Sequence, residues 1–203
     1  MQKSQKIIIL TCLVIGLMLV GFTAYRVNLK QGPIIKTSGK ALIGGSFELV
    51  NHDGKKVTDK DFHGKYMLIY FGYTFCPDVC PTELQVMTGA LEKLGDAAKN
   101  IQPVFVSVDP ERDSPQVMKD YVANFYPGMI GLTGSPEQIS NVAKRYRVYY
   151  SKVTEKGAEP DEYSMDHSSI VYLMGRDGSF VKHFAYGTDS DKLAKGIAAA
   201  TKE

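Results

Sequence analysis

Apolar and polar residues fall into blocks along most of this chain, and each block has a period. Phe47-Glu48-Leu49-Val50 and Lys55-Lys56-Val57-Thr58 flank Asn51-His52-Asp53-Gly54, the pattern of a hairpin. Tyr66-Met67-Leu68-Ile69-Tyr70-Phe71 is an unbroken apolar run, as expected of a strand buried on both faces. Over residues 81–99, Leu84, Met87, Leu91, Leu94 and Ala98 recur at helical spacing. Val104-Phe105-Val106-Ser107-Val108 predicts a second buried strand. Ser114-Pro115 and Ser135-Pro136 each place a capping hydroxyl before a proline suited to a first turn. Gln138 completes a capping box on the second. Val117, Met118, Tyr121, Val122 and Phe125 face inward from the first of these helices, and Ile139, Val142, Ala143 and Tyr146 from the second. Ser169-Ile170-Val171-Tyr172-Leu173 and Phe180-Val181-Lys182-His183-Phe184 flank Gly175-Arg176-Asp177-Gly178 in a second hairpin, and Leu193 and Ile197 mark a closing helix. Residues 154–163 are polar and acidic and read as a surface loop.

The order is a hairpin, a βαβα run, a second hairpin and a helix. A βαβ unit demands parallel pairing and a hairpin antiparallel pairing. The expected α/β domain over residues 46–203 is therefore a mixed sheet flanked by helices, the plan of a thioredoxin-like fold. Residues 26–45 are polar, contain Gly32-Pro33 and Gly44-Gly45, and read as a linker.

Residues 7–25 carry no charge and have basic residues on both sides. A helix of that length spans about 28 Å, close to the hydrocarbon thickness of a bilayer. A cleaved signal would have a shorter apolar region and end in small residues, whereas Phe22-Thr23-Ala24 puts a bulky ring at that site. Residues 1–25 are accordingly expected to form a transmembrane anchor. Lysine and arginine on the two sides balance, so they do not orient it. A short head before the span and a long body after it favour export of the body.

The chain has 203 residues, 44% of them apolar and 23% charged. This composition excludes a disordered, collagen-like or multi-span protein. Net charge is +2, but Lys3, Lys6, Arg26 and Lys30 put +4 into residues 1–30, leaving the body at −2. Such a body offers no basic face to a phosphate backbone, so no nucleic-acid partner is expected. Three cysteines are too few for a disulfide-stapled fold.

Two of them carry the chemistry. Cys76-Pro77-Asp78-Val79-Cys80-Pro81 lies at the carboxyl end of a buried strand and just before a helix, where open α/β sheets bind ligands. The prolines push Cys76 and Cys80 away from helical angles. A helix amino terminus favours negative charge, so Cys80 in particular is expected to ionise readily. A pair of inert core cysteines explains this spacing poorly. Of the histidines, His52, His63 and His183 read as turn or strand residues, while His167 stands at the entry of the Ser169 strand and is a candidate third partner. Two thiolates and an imidazole select Cu(I), with zinc as competitor. A structural zinc site takes four ligands, and three candidates are present; a catalytic Cys₂His zinc remains an alternative. Asp109-Pro110 follows the second buried strand, and Asp109 reads first as a turn residue.

These segments, YFGYTFCPDVCPTEL at 70–84, VSVDPERDSP at 106–115 and DHSSIVYLMGRDG at 166–178, resemble those of the Sco/SenC family, membrane-anchored copper proteins that assist cytochrome c oxidase assembly. Phe75 stands where many relatives have histidine. The resemblance implies a thioredoxin-like domain outside the cytoplasm or in the mitochondrial intermembrane space. It implies metal ligation by Cys76, Cys80 and His167, with Asp109 matching an aspartate linked to metal handling or partner recognition. The implied task is delivery of copper, as Cu(I) with Cu(II) left open, from an upstream donor to the CuA centre of oxidase subunit II. A thiol–disulfide oxidoreductase acting on the CuA cysteines or in redox signalling is the main alternative. Against it stand the C-x-x-x-C spacing and the absence of tryptophan from the sequence. A thiol peroxidase is a third reading, but Pro77 occupies the place of that family's peroxide-orienting hydroxyl.

Overall fold

The computed structural model describes residues 42–154, 157, 159 and 162–202, together with 13, 16–19 and 21–22. The chain divides into two units, Met1–Lys40 and Ala41–Glu203. In the first, the described residues are helical. Most of the anchor expected over residues 1–25 and most of the linker over 26–45 lie outside the described residues. Among those described, no helix is long and apolar enough to cross a membrane.

In the second unit the strands are β1 (Glu48–Asn51), β2 (Lys56–Thr58), β3 (Tyr66–Gly72), β4 (Ile101–Ser107), β5 (Ile130–Thr133), β6 (Tyr150–Thr154), β7 (Tyr163–His167), β8 (Ile170–Met174) and β9 (Phe180–Ala185). The helices are α1 (Val79–Leu94), α2 (Pro115–Val122), α3 (Pro136–Tyr146) and α4 (Ser190–Ala200). Seven strands form one sheet in the order β2-β1-β5-β4-β3-β8-β9, and β6 and β7 form a separate antiparallel pair. Strand β3 runs parallel to β4 and antiparallel to β8, and β4 runs parallel to β5. This is the mixed, helix-flanked, thioredoxin-like sheet that the alternation predicts.

Successive residues of β3 point to opposite faces, and this sorts the helices. Tyr70 stacks on Phe105 at 6.3 Å, and Phe105 meets Tyr121 of α2 at 5.4 Å. Phe71 instead meets Tyr146 of α3 at 5.3 Å and Tyr172 of β8 at 6.2 Å. The capping signals hold. Ser114 Oγ accepts from the Val117 N–H at the start of α2. Ser135 and Gln138 form the reciprocal capping box of α3.

Three features depart from the expectations. Helix α1 begins at Val79, leaving Pro81 inside a first turn that needs no N–H there, and stops at Leu94, because Gly95 at φ 55° turns the chain out. Strand β5 is new: Ile130-Gly131-Leu132-Thr133 is short and shows no alternation. Gly131 belongs there because a Cβ would stand 3.1 Å from Met118 and 3.2 Å from Val122 of α2. The ends of the expected loop 154–163 are strand residues, Thr154 pairing with Tyr163 in the β6–β7 hairpin.

Candidate metal centre

Strand β3 ends at Gly72, and the chain turns through residues 73–78 into α1. The turn is tied to the end of β4 by one fully buried carboxylate. Asp113 accepts the Thr74 hydroxyl at 2.6 Å and its N–H at 3.2 Å, and the Ser107 hydroxyl at 2.6 Å. Cys76 therefore emerges from a fixed bend. The Cys80 N–H donates to its sulfur at 3.3 Å, so Cys76 serves an orphan donor at the start of α1.

Cys80, inside the first turn of α1, lies on the core side of Cys76. It is fully buried, beneath Gly72 and beside the Tyr70 hydroxyl at 3.9 Å. Its sulfur lies 3.3 Å from His167 Nε2. His167 closes β7, with Nδ1 3.3 Å from the Ser168 carbonyl oxygen. Its ring meets the Tyr70 and Tyr73 rings edge to face, both at 6.0 Å. The fold thus brings Cys76, Cys80 and His167 together. Metal bonds to sulfur and nitrogen run about 2.0–2.3 Å, so one ion can bridge a 3.3 Å sulfur–nitrogen separation with little movement. Among the described residues no three His, Cys, Asp or Glu side chains form a ready-made metal cluster. The three meet as a hydrogen-bonded thiol–imidazole group.

The two thiols differ in the direction opposite to the sequence expectation. Cys76 is held well below the ordinary thiol range, chiefly because the Cys80 thiol donates to it, with His167 and the Cys80 and Asp78 N–H groups adding to the effect. Cys80 is pushed up by that same hydrogen bond to Cys76 and by burial. The helix N–H groups aim outward at the preceding residue, so they stabilise charge on Cys76 rather than on Cys80, which is part of the helix. A pocket of about 500 Å³ opens over the half-exposed Cys76, between Val79, Met165, His167 and Tyr186.

Asp109 lies just beyond β4 and is buried. It pairs with Arg112 Nε and accepts the Tyr163 hydroxyl at 2.9 Å. The Arg112 guanidinium covers the Tyr163 ring at 3.6 Å and the Phe75 ring at 4.7 Å. Asp113, Arg112 and Tyr163 went unread in the sequence. The contacts that give them their role join residues 39 to 54 apart, Thr74 to Asp113, Arg112 to Tyr163 and Tyr163 to Asp109, and no local pattern encodes those. The other histidines take structural places: His52 Nδ1 accepts from the Gly131 N–H at 2.9 Å, His63 lies near Asp59, and His183 stacks on Phe180.

The chain is similar to known proteins over most of its length. Protein SCO1 homolog 1, mitochondrial, of Arabidopsis thaliana is 45% identical over 178 residues, covering 87% of this chain and 52% of that protein. The crystal structure of Arabidopsis thaliana ScoI with copper bound matches with a TM-score of 0.73 at 46% identity, covering 78% of this chain and 97% of that one. The structure of BsSco, a member of the Sco family of cytochrome c oxidase assembly proteins in which a disulfide switch was identified, matches with a TM-score of 0.59 at 27% identity, covering 77% and 91%. This chain spans 52–64% of the length of the first curated relatives it matches. The SCO1/SenC family model matches residues 35–202, and the chain belongs to the SCO1/SenC family.

Proposed function

We propose that this protein is a membrane-anchored copper carrier of cytochrome c oxidase assembly. It binds Cu(I) through Cys76, Cys80 and His167 and passes it to the CuA centre of oxidase subunit II. Residues 1–25 anchor it, and the body works outside the cytoplasm or in the intermembrane space. The observation that carries this reading is the 3.3 Å approach of Cys80 Sγ to His167 Nε2, beside a Cys76 thiol that accepts the Cys80 N–H. The donor set is soft and suits Cu(I). Relatives of similar fold hold copper, and one belongs to a family of oxidase assembly proteins.

The geometry supports release as well as capture. Loading displaces the proton from Cys80, and unloading returns it. Three ligands leave room for an incoming thiolate. Cys76 faces the open pocket and Cys80 the core, so an acceptor thiolate reaches the ion on the Cys76 side and replaces that bond first.

The test is anaerobic Cu(I) titration of the full chain in detergent, read by competition with a chromophoric chelator. One copper per chain is expected, lost in Cys76→Ser and in Cys80→Ser and weakened in His167→Ala. Tight binding that survives both serine variants overturns the assignment.

A second reading rests on the asymmetry of the thiols. An accessible Cys76 thiolate with a buried Cys80 thiol behind it is the arrangement of an attacking and a resolving cysteine. Cys76 would attack a disulfide of the acceptor and form a mixed disulfide. Cys80 would then displace the acceptor's second thiol and leave a Cys76–Cys80 bond, with two electrons passed to the acceptor. In cells lacking the protein, rescue of oxidase by added copper favours delivery, and rescue by reductant alone favours the thiol reaction.

A further inference from the structure

The hairpin that carries His167 is not part of the main sheet. Its position is set by what holds its inner face. Along β7, Tyr163, Met165 and His167 share one face, since side chains alternate in a strand, and the burial agrees: Met165 is buried while Ser164 and Asp166 are exposed. Tyr163 and His167 are the two ends of this face, about 13 Å apart at 3.3 Å per residue.

Tyr163 is gripped from three directions by one short segment. Its hydroxyl donates to Asp109 at 2.9 Å, its carbonyl oxygen accepts from Arg112 Nη1 at 3.0 Å, and the Arg112 guanidinium lies over its ring at 3.6 Å. Lys152 of β6 lies 3.7 Å from the same ring and pairs with Glu111. Arg112 also covers Phe75, the residue before Cys76, at 4.7 Å. One side chain thus touches both the turn that carries Cys76 and the hairpin that carries His167.

The geometry points to Asp109, Arg112 and Tyr163 as a latch that positions the imidazole of His167 against the two cysteines. In this role Asp109 is a positioning residue. Both its oxygens are committed to Arg112 and Tyr163, and it acts on copper through the far end of β7. The inference rests on the proposed ligand role of His167.

The latch predicts a particular pattern in Cu(I) affinity. Tyr163→Phe, which keeps the ring and removes the hydroxyl, and Asp109→Asn each weaken Cu(I) binding by the full chain about five- to tenfold, the scale of one charge-assisted hydrogen bond partly transmitted to the site. The double variant is no weaker than the weaker single one, because both break the same contact. In a His167→Ala background neither substitution has any further effect. A merely structural role would weaken binding by the same factor with or without the imidazole. Loss that persists in the His167→Ala background overturns the latch, and so does unchanged affinity of both single variants when His167→Ala itself binds more weakly. If His167→Ala binds as tightly as the unsubstituted chain, the ligand assignment falls first, and the latch with it.

Discussion

Gly72 and Cys80 are in such close contact that any side chain at the end of β3 would force a shift. A Cβ on Gly72 would stand 2.7 Å from the Cys80 sulfur, 3.0 Å from the Phe105 ring and 3.1 Å from the Tyr70 ring. The rings are fully buried and cannot yield, so the strain falls on the sulfur and the first turn of α1. Gly72→Ala is expected to cost about 1–3 kcal/mol in stability, the usual scale of overpacking. It should also weaken Cu(I) binding, because the displaced sulfur is a proposed ligand. Urea unfolding and chelator competition read the two effects. Unchanged values for both would mean that the helix start shifts freely, contrary to its packing.

The cysteine pair and its strand-to-helix junction were legible because their signals are local: an unbroken apolar run, two proline-limited thiols and a helical period. The capping box at Ser135 and Gln138 was legible for the same reason. His167 reads as a candidate partner of the cysteines from its place at a strand entry and from the family resemblance, but its own strand is not legible, since β7 is mostly polar and Met165 is its one fully apolar buried position. Its approach to Cys80 joins residues 87 apart in the chain, and no local period encodes that. Asp109 read as a turn residue because its partner Tyr163 lies 54 residues on. The ionisation order of the thiols is not legible in the sequence, because the spacing does not show that the α1 N–H groups point at Cys76 while Cys80 lies within the helix and is buried.

The two thiols should react at different rates. Cys76 is half-exposed and held low in pKa, whereas Cys80 is fully buried and pushed up. Only the thiolate attacks an alkylating agent. Iodoacetamide should therefore label Cys76 roughly tenfold or more faster than Cys80, and go on labelling it below neutral pH. Peptide mass spectrometry of the metal-free, reduced chain gives the two rates. Equal labelling would show that Cys80 reaches solvent and that the ordering of the pair is wrong.

Asp113 should govern the turn rather than the metal. Its two oxygens accept from Thr74 twice and from Ser107 once, wholly out of water. Asp113→Asn replaces one acceptor with a donor facing donors. A loss of about 1–3 kcal/mol is expected, the cost of leaving a buried polar group unmatched. Amide hydrogen exchange at Thr74 and Cys76 should rise more than exchange in β3. A uniform rise across the domain would instead make Asp113 a general stability residue with no particular hold on the turn.

Glu83, one turn beyond Cys80 in α1, introduces a pH dependence into folding. Its side chain is buried and accepts one hydrogen bond, from the Gly187 N–H at 3.3 Å. Burial raises its pKa above the ordinary carboxylate value of 4.5, because the charged form loses water. A carboxyl whose folded pKa is raised contributes its full share of stability below the unfolded value. It loses that share as pH rises through the folded pKa. At pH 7, above the unfolded value, ionisation therefore favours the unfolded chain more than the folded one. Glu83→Gln keeps an acceptor for Gly187 and removes the charge, so it should be the more stable protein at pH 7. The two should converge as pH falls below the unfolded carboxylate value, where the carboxyl is neutral in both states. Urea unfolding of both at several pH values isolates the effect, because every other titrating group is common to the pair. Parallel stability curves would mean that water reaches the Glu83 carboxylate in the folded state, and that the α1 face beside Gly187 is open.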